Sequence, residues 1–103
     1  MTDKEIIENL LTGNQECFKE LIDSYQSMVL NTCNSFVHNK DDAHDITQEV
    51  FIEVYSSIHS YKQKAKLSTW IYRIAVNKSL NFIRDNKKRN IFRSIENFFS
   101  KEY

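Results

Sequence analysis

The sequence predicts an all-α fold, a compact bundle of four helices with a C-terminal tail that can add a fifth. The chain has 103 residues, no proline and one glycine, Gly13, so the two strongest helix breakers are almost absent. Apolar residues recur at intervals of three and four, which is the period of an amphipathic helix. The length suits a single domain with one core.

The first two helices have recognisable ends. Thr2 or Asp3 can cap the first helix, and Gly13 can end it, because glycine readily adopts positive φ. Asn14 can then cap a second helix over residues 15–37. Its apolar positions form one core-facing stripe, which identifies this helix as scaffold. They are Phe18, Leu21, Ile22, Tyr25, Met28, Val29, Cys33 and Phe36.

The third helix is expected to begin at a cap formed by Asp41 or Asp42 and to end near Ile58. A projection at about 100° per residue places Ala43, Ile46, Thr47, Val50, Val54 and Ile58 inward, with Phe51 at the border. The outer side carries Asp45, Gln48, Glu49, Ile52, Tyr55 and Ser56. A solvated face does not need two apolar residues beside acids, so this side is either a docking face or a surface with isolated apolar residues.

The fourth helix is expected to follow a loop over residues 59–68, with Ser68 or Thr69 as cap, and to end near Arg89. Its inward set is predicted as Ile71, Tyr72, Ala75, Val76, Phe82 and Ile83. The outward set forms a continuous strip of Trp70, Arg73, Asn77, Asn81, Arg84 and Lys88. The tail has the apolar spacing of another helix, through Ile91, Phe92, Ile95, Phe98 and Phe99, or it is ordered only against a partner.

Charge is segregated along the chain. Residues 1–60 contain three basic and eleven acidic residues, a net charge of −8, whereas residues 61–103 contain eleven basic and three acidic residues, a net charge of +8. The basic half suits a polyanion.

Tryptophan can stack on a base, asparagine can donate and accept hydrogen bonds, and the cations can contact phosphates. With the loop residues Tyr61, Lys62, Lys64 and Lys66, the strip predicts a platform for single-stranded nucleic acid. The alternative is that Trp70 packs back against the loop and the cations are only solvated.

Other chemistry is weakly indicated. The cluster His38, Asp41, Asp42, His44 and Asp45 fits no familiar metal-ligand spacing, and helix capping explains its acids. Cys17 and Cys33 fit neither a disulfide nor a metal framework and are predicted to be buried thiols. We find no phosphate-binding loop and no nucleophilic arrangement, so we expect no enzyme, cofactor or metal. No apolar run could span a bilayer, and the acidic N-terminus is unlike a signal peptide, so we expect a cytoplasmic protein.

Two blocks resemble region 2 of bacterial sigma factors of the extracytoplasmic-function (ECF) group: DAHDITQEVFIEVY (42–55) and YKQKAKLSTWIYRIAVNKSLNFIRDNKKR (61–89). The resemblance implies that Asp45, Gln48, Glu49 and Ile52, with Tyr55, dock on the clamp helices of the RNA polymerase β′ subunit. It implies that Tyr61 and its loop accept a base flipped from the non-template strand of the −10 element, with Trp70 and Asn77 nearby. The remaining DNA-binding set is Lys62, Lys64, Lys66, Ser68, Thr69, Arg73, Lys78, Asn81 and Arg84.

The sequence departs from the family in the loop. The family commonly has aromatic-R-G-[DE]-[AS], whereas this chain has Tyr61-Lys62-Gln63-Lys64-Ala65.

We expect residues 1–90 to form the region 2 domain and residues 91–103 to form a tail helix or the start of an interdomain linker, without the second domain that reads the −35 element. The expected partners are core RNA polymerase, single-stranded promoter DNA and an anti-sigma factor. The alternatives are a sigma-like decoy that binds polymerase or an anti-sigma protein without melting DNA, and a helical oligomerisation module.

Overall fold

The computed structural model describes residues 2–102, and the side chains of residues 2–100, as a helical bundle. The elements are α1 (Asp3–Leu11), α2 (Gln15–Val37), α3 (Lys40–Ser57), a 3₁₀ turn (Ile58–Ser60) and α4 (Leu67–Glu102). No strand occurs in this part of the chain. The predicted all-α class is therefore confirmed, with four α-helices.

The ends of α1 and the start of α2 follow the predicted local chemistry. The Thr2 hydroxyl accepts a hydrogen bond from the Glu5 N–H at 3.2 Å. Gly13 has φ +85°, and its N–H and that of Asn14 donate to the carbonyls of Leu10 and Asn9. This is a Schellman ending, which satisfies carbonyls that the helix leaves without partners. The Asn14 side chain then caps α2.

Two predicted caps are wrong. Asn39 caps α3, and its Oδ1 accepts from the Asp42 N–H at 3.0 Å, so Asp41 and Asp42 lie inside the first turn. An aspartate in the first turn is stabilised by the helix dipole without being the cap. The second error concerns α4, which begins at Leu67. Ser68 and Thr69 therefore lie in its first turn.

The core lies where α2, α3 and α4 pack together, with α1 covering one end. All the residues predicted to face inward from the third helix are buried. Cys17 and Cys33 are buried thiols, as predicted, and burial raises the pKa of Cys17. The buried apolar side chains are Ile6, Ile7, Leu10, Cys17, Leu21, Val29, Cys33, Ala43, Ile46, Val50, Phe51, Val54, Ile58, Leu67, Ile71 and Ala75.

Helix α4 differs most from the prediction. It continues without interruption past Arg89 to Glu102. Its first half packs on the bundle through Leu67, Ile71, Ala75 and Ser79. Tyr72 and Ile83, predicted as core, are 48% and 38% exposed. Beyond this half, every residue from 87 to 100 is exposed.

Candidate nucleic-acid and protein interfaces

Helix α3 presents its predicted outer residues to solvent. We call Asp45, Gln48, Glu49, Ile52 and Tyr55 the α3 face. All five are exposed, with Ile52 at 65% and Tyr55 at 47%. Exposed apolar side chains on an acidic surface provide both contact area and charge, which a docking surface needs.

The α3 face borders a groove between α2 and α3, with a volume of about 750 Å³. We call it the α2–α3 groove. Its apolar lining comes from both helices: Phe18, Ile22, Phe51, Ile52 and Tyr55. The rings of Phe18 and Tyr55 meet edge to face, with centroids 5.0 Å apart. The apolar period of α2 predicts Phe18 and Ile22 only as core residues, but they are partly buried and also line this groove.

In the basic half of the chain, two aromatic rings organise the loop over residues 61–66. We call it the Tyr61 loop. The rings of Tyr61 and Trp70 stack with centroids 4.7 Å apart and an interplanar angle of 21°. The Tyr61 hydroxyl donates to the Ala65 carbonyl, which closes the loop on itself. Both rings are half-buried against the core, and burial raises the pKa of Tyr61. Trp70 therefore packs on the loop, as the alternative interpretation expected.

Gln63 explains how the loop retains a tight turn without glycine. Its φ is +58°, in the left-handed region that a non-glycine residue adopts only at a cost. Gln63 occupies the position at which the resembled motif has glycine. The backbone at residue 63 therefore adopts the conformation that glycine favours, although glutamine, which has a side chain, adopts it less readily.

The start of α1 is joined to α2 through Asp3. Tyr25, on α2, donates a hydrogen bond from its hydroxyl to Asp3 Oδ1 at 3.1 Å. Burial, with this hydrogen bond and the Asp3 charge, raises the pKa of Tyr25 to about 12. The Asp3 charge also contributes to raising the pKa of Tyr61. Asp3 is thus hydrogen-bonded to Tyr25, and its charge also acts on Tyr61.

The predicted outer strip of α4 is exposed except at Trp70, which is half-buried. We call Arg73, Asn77, Asn81 and Arg84 the α4 strip, and all four are exposed. Arg84 Nη2 donates to Asn81 Oδ1 at 3.0 Å, which orients the amide. A pocket of about 240 Å³ adjoins the strip between α3 and α4. We call it the Asn77 pocket, and it is lined by Glu53, Ser57, Trp70, Ile74, Asn77, Lys78 and Asn81.

Glu53 brings a negative charge into this pocket that the sequence analysis did not anticipate. Its Oε1 lies 3.7 Å from Lys78 Nζ, and the Ser57 hydroxyl donates to its other oxygen. Lys78 is half-buried, so it is less available to a phosphate than an exposed lysine. The i,i+4 spacing of Glu53 and Ser57 could have indicated their contact, because residues at this spacing are neighbours on a helix.

The other predicted DNA-binding residues surround these features. The lysines of the loop point into solvent, whereas Ser68 and Thr69 are half-buried in the first turn of α4. The exposed lysines are Lys62, Lys64 and Lys66. The structure thus brings the Tyr61 loop, the α4 strip and the Asn77 pocket together on the basic half, separate from the α3 face.

The described part of the chain has neither a cluster of metal-ligating side chains nor a helix able to span a membrane. No group of three or more His, Cys, Asp and Glu side chains there is arranged to hold a metal ion. Likewise, none of the helices described is both long and apolar enough to cross a membrane.

Comparisons with known proteins agree on one family. The sequence model for Sigma-70 region 2 matches residues 21–89. The chain is 37% identical over 87 residues to the ECF RNA polymerase sigma factor SigW of Bacillus subtilis, covering 84% of this chain and 46% of that protein. It is 34% identical over 89 residues to the ECF RNA polymerase sigma-E factor of Haemophilus influenzae, covering 86% and 47% respectively. The chain spans about half the length of the curated relatives it matches.

A solved structure supports the same assignment. It is an NMR structure of the complex formed by an engineered region 2 of sigmaE with GTAAAA, and it superposes with a TM-score of 0.80 at 35% sequence identity. The match covers 86% of this chain and 93% of that one. The family model, the relatives and the shared fold lead to one conclusion. The chain belongs to the Sigma-70 region 2 family, and its relatives are ECF sigma factors.

Proposed function

We propose that this domain recognises and opens the promoter −10 element as part of an ECF-type sigma factor. In this proposal the α3 face docks on the clamp helices of the polymerase β′ subunit, and the basic half captures flipped bases of the non-template strand. The observation that carries the proposal is the structural match to a sigmaE region 2 in complex with GTAAAA. The segregated charges and the two separate surfaces support the same division of tasks.

On the basic half, the Tyr61 loop and the α4 strip supply complementary contacts. The exposed Lys62, Lys64 and Lys66 can follow the phosphate backbone. Asn77 and Asn81 line the Asn77 pocket, and their amides can both donate to and accept from a base edge. Tyr61 and Trp70 hold the loop in shape, with Trp70 also lining the pocket. Because only the unpaired strand offers such bases, their capture stabilises the open promoter without hydrolysis.

On the acidic half, the α3 face supplies the proposed polymerase contact. Ile52 and Tyr55 offer apolar area beside the charges of Asp45 and Glu49. Exposed charges of one sign increase the rate of association with a partner of opposite sign, while the apolar residues contribute to slow dissociation. We further propose an anti-sigma factor as a partner that covers these surfaces, and the cytoplasm as the site of action.

The decisive experiment combines purified core polymerase, this chain and a forked promoter whose −10 strand is varied systematically. Asn77→Ala should reduce discrimination among −10 sequences by roughly tenfold, the loss of one good base contact, while polymerase binding is unchanged. Asn90→Ala is the matched control, because Asn90 is also exposed on α4 but lies outside the strip. Polymerase binding without −10 selectivity in the unaltered chain would support the decoy instead.

The reciprocal variant is Asp45→Lys with Glu49→Lys. It should abolish polymerase binding while preserving binding to a single-stranded −10 oligonucleotide. Glu8→Lys with Glu20→Lys makes the same charge change at exposed positions away from the α3 face. If both double variants reduced polymerase binding equally, only the net charge would matter and the α3 face would not be the docking site.

Oligonucleotide binding should also weaken with salt. Each phosphate contact releases condensed counterions, so the logarithm of the affinity falls linearly with the logarithm of the salt concentration. Lys62→Gln should reduce this slope by about 0.7, the value for one phosphate contact on a single strand. An unchanged slope would exclude Lys62 from the phosphate contacts.

A further inference from the structure

The second half of α4 projects from the bundle as an uncovered amphipathic helix. All residues from 87 to 100 are exposed. Five large apolar residues lie within this stretch: Ile91, Phe92, Ile95, Phe98 and Phe99. At about 100° per residue they fall within an arc of about 120°, so they form one stripe. We call this stripe the tail stripe. An isolated helix of this length is only marginally stable in water, so a partner that covers the stripe would stabilise it.

The residues beside the tail stripe give the projecting helix a strong positive charge. Between residues 84 and 100 the chain has five cations and two acids, Asp85 and Glu96. The cations are Arg84, Lys87, Lys88, Arg89 and Arg93. A partner must therefore present an apolar surface with acidic surroundings.

The α2–α3 groove has these properties. Its floor is apolar, from Phe18, Ile22 and Phe51, and its volume is about 750 Å³. Exposed acids lie on both helices that form it, Glu16 and Asp23 on α2 and Asp45 and Glu49 on α3. They outnumber Lys19, the one charged residue in the groove lining. A groove of this kind is suited to a basic amphipathic helix, which inserts apolar residues spaced at i, i+3, i+4 and i+7.

The groove cannot be filled by the tail stripe of the same chain. Helix α4 is a single element from Leu67 to Glu102, and it contains neither proline nor glycine to allow a sharp reversal. We propose that the tail stripe of one copy docks in the α2–α3 groove of a second copy. Pairing of two tail stripes is less favourable, because it brings two cationic segments together.

The consequence for activity rests on the proposed function. The groove is lined by Gln48, Ile52 and Tyr55, which also belong to the proposed polymerase contact. Self-association and polymerase binding would then exclude each other, and the concentration of free domain would determine how much can bind polymerase. Self-association itself can be tested without polymerase, so the two proposals can fail separately.

The first test measures mass by sedimentation velocity over a wide range of protein concentration, at low and high salt. The average mass should rise above that of a monomer with concentration and fall again when salt is added, because opposite charges attract across the contact. A monomer at every concentration would overturn the proposal. Association that strengthens with salt would also overturn it, since that is the behaviour of like-charged tails.

The second test uses two complementary variants. The tail variant, Phe98→Ser with Phe99→Ser, keeps an intact groove, and the groove variant, Ile52→Lys, keeps an intact tail. Neither should self-associate, but an equimolar mixture should form a one-to-one complex, in which the intact tail occupies the intact groove. A mixture that stays monomeric contradicts the proposal. Circular dichroism confirms folding, and Asn90→Ser with Asn97→Ser, exposed on the same helix but off the stripe, should associate like the unaltered chain.

Discussion

The α3 face and the Tyr61 loop differ in one respect. The residues proposed for binding at the loop also stabilise the fold, whereas those on the α3 face contribute less to it. On the α3 face, Ile52 and Tyr55 are 65% and 47% exposed, and the helix beneath them is held by other residues. At the Tyr61 loop, by contrast, Tyr61 stacks on Trp70 of α4, and both rings pack on the core. Substitutions on the α3 face, except at Tyr55, whose ring meets Phe18, should therefore report on binding alone. Substitutions of Tyr61 or Trp70 should change stability as well.

The largest expected difference in stability is between Trp70→Ala and Ile52→Ala. Removing Trp70 eliminates a half-buried ring and its stack with Tyr61, which should cost about 2–4 kcal/mol, somewhat below a fully buried tryptophan. Removing the exposed Ile52 should change the free energy of unfolding by less than about 0.5 kcal/mol. Urea denaturation measures both values.

Trp70→Phe is the matched control for this comparison. It retains an aromatic partner for Tyr61 and should lose about 1 kcal/mol, less than the alanine variant. Equal destabilisation by Trp70→Ala and Ile52→Ala would remove the distinction between the two surfaces.

A smaller effect should follow from Tyr61→Phe. The ring stays stacked, but the hydrogen bond to the Ala65 carbonyl is lost, at a cost of about 0.5–1.5 kcal/mol. The amides of residues 62–66 should exchange faster with solvent, because the loop is no longer closed. Tyr72→Phe is the control, since Tyr72 is 48% exposed on α4. If loop exchange were unchanged in Tyr61→Phe, the ring stack alone would define the loop.

Gln63→Gly should stabilise the loop slightly. The left-handed backbone at Gln63 costs about 1–2 kcal/mol for a residue with a side chain. Glycine removes this cost, but the greater entropy of its unfolded chain costs about 0.5–1 kcal/mol, so the net gain lies between about 0 and 1.5 kcal/mol. Lys64→Gly, next to it, should destabilise, because no positive φ occurs there. If both variants behaved alike in thermal melts, the backbone at residue 63 would not be strained.

Much of the bundle could be predicted from local chemistry. Thr2, Gly13 and Asn14 define helix ends through contacts within a few residues. The inward stripe of α3 follows from the helical period of its apolar residues. The placement of the α3 face followed from the same projection, because one side of that helix is consistently apolar. These predictions succeeded where the determining contacts were close in sequence.

The rest depends on contacts between elements. The stack of Tyr61 and Trp70 joins a loop to a helix, and no periodicity indicates it. On α4, the buried side includes Ser79, which is fully buried, whereas Tyr72 is exposed; a projection weighted by hydrophobicity therefore placed the stripe at the wrong angle. The absence of proline and glycine allows α4 to continue past Arg89, although the apolar spacing of the tail was interpreted as a separate helix.

The last expected effect appears only at high pH and concerns the hydrogen bond between Tyr25 and Asp3. Burial, together with the hydrogen bond to Asp3, raises the pKa of Tyr25 to about 12, from an ordinary value of 10.0. Because the folded state keeps a proton that the unfolded state releases, this stabilisation is complete below about pH 10 and is lost as pH rises towards about 12. Urea denaturation in this window should show a steeper loss of stability in the unaltered chain than in Tyr25→Phe. Some decline should remain in the variant, since burial also raises the pKa of Tyr61. Parallel pH profiles would mean that Tyr25 has the same pKa in the folded and unfolded states and that its hydrogen bond to Asp3 does not form in solution.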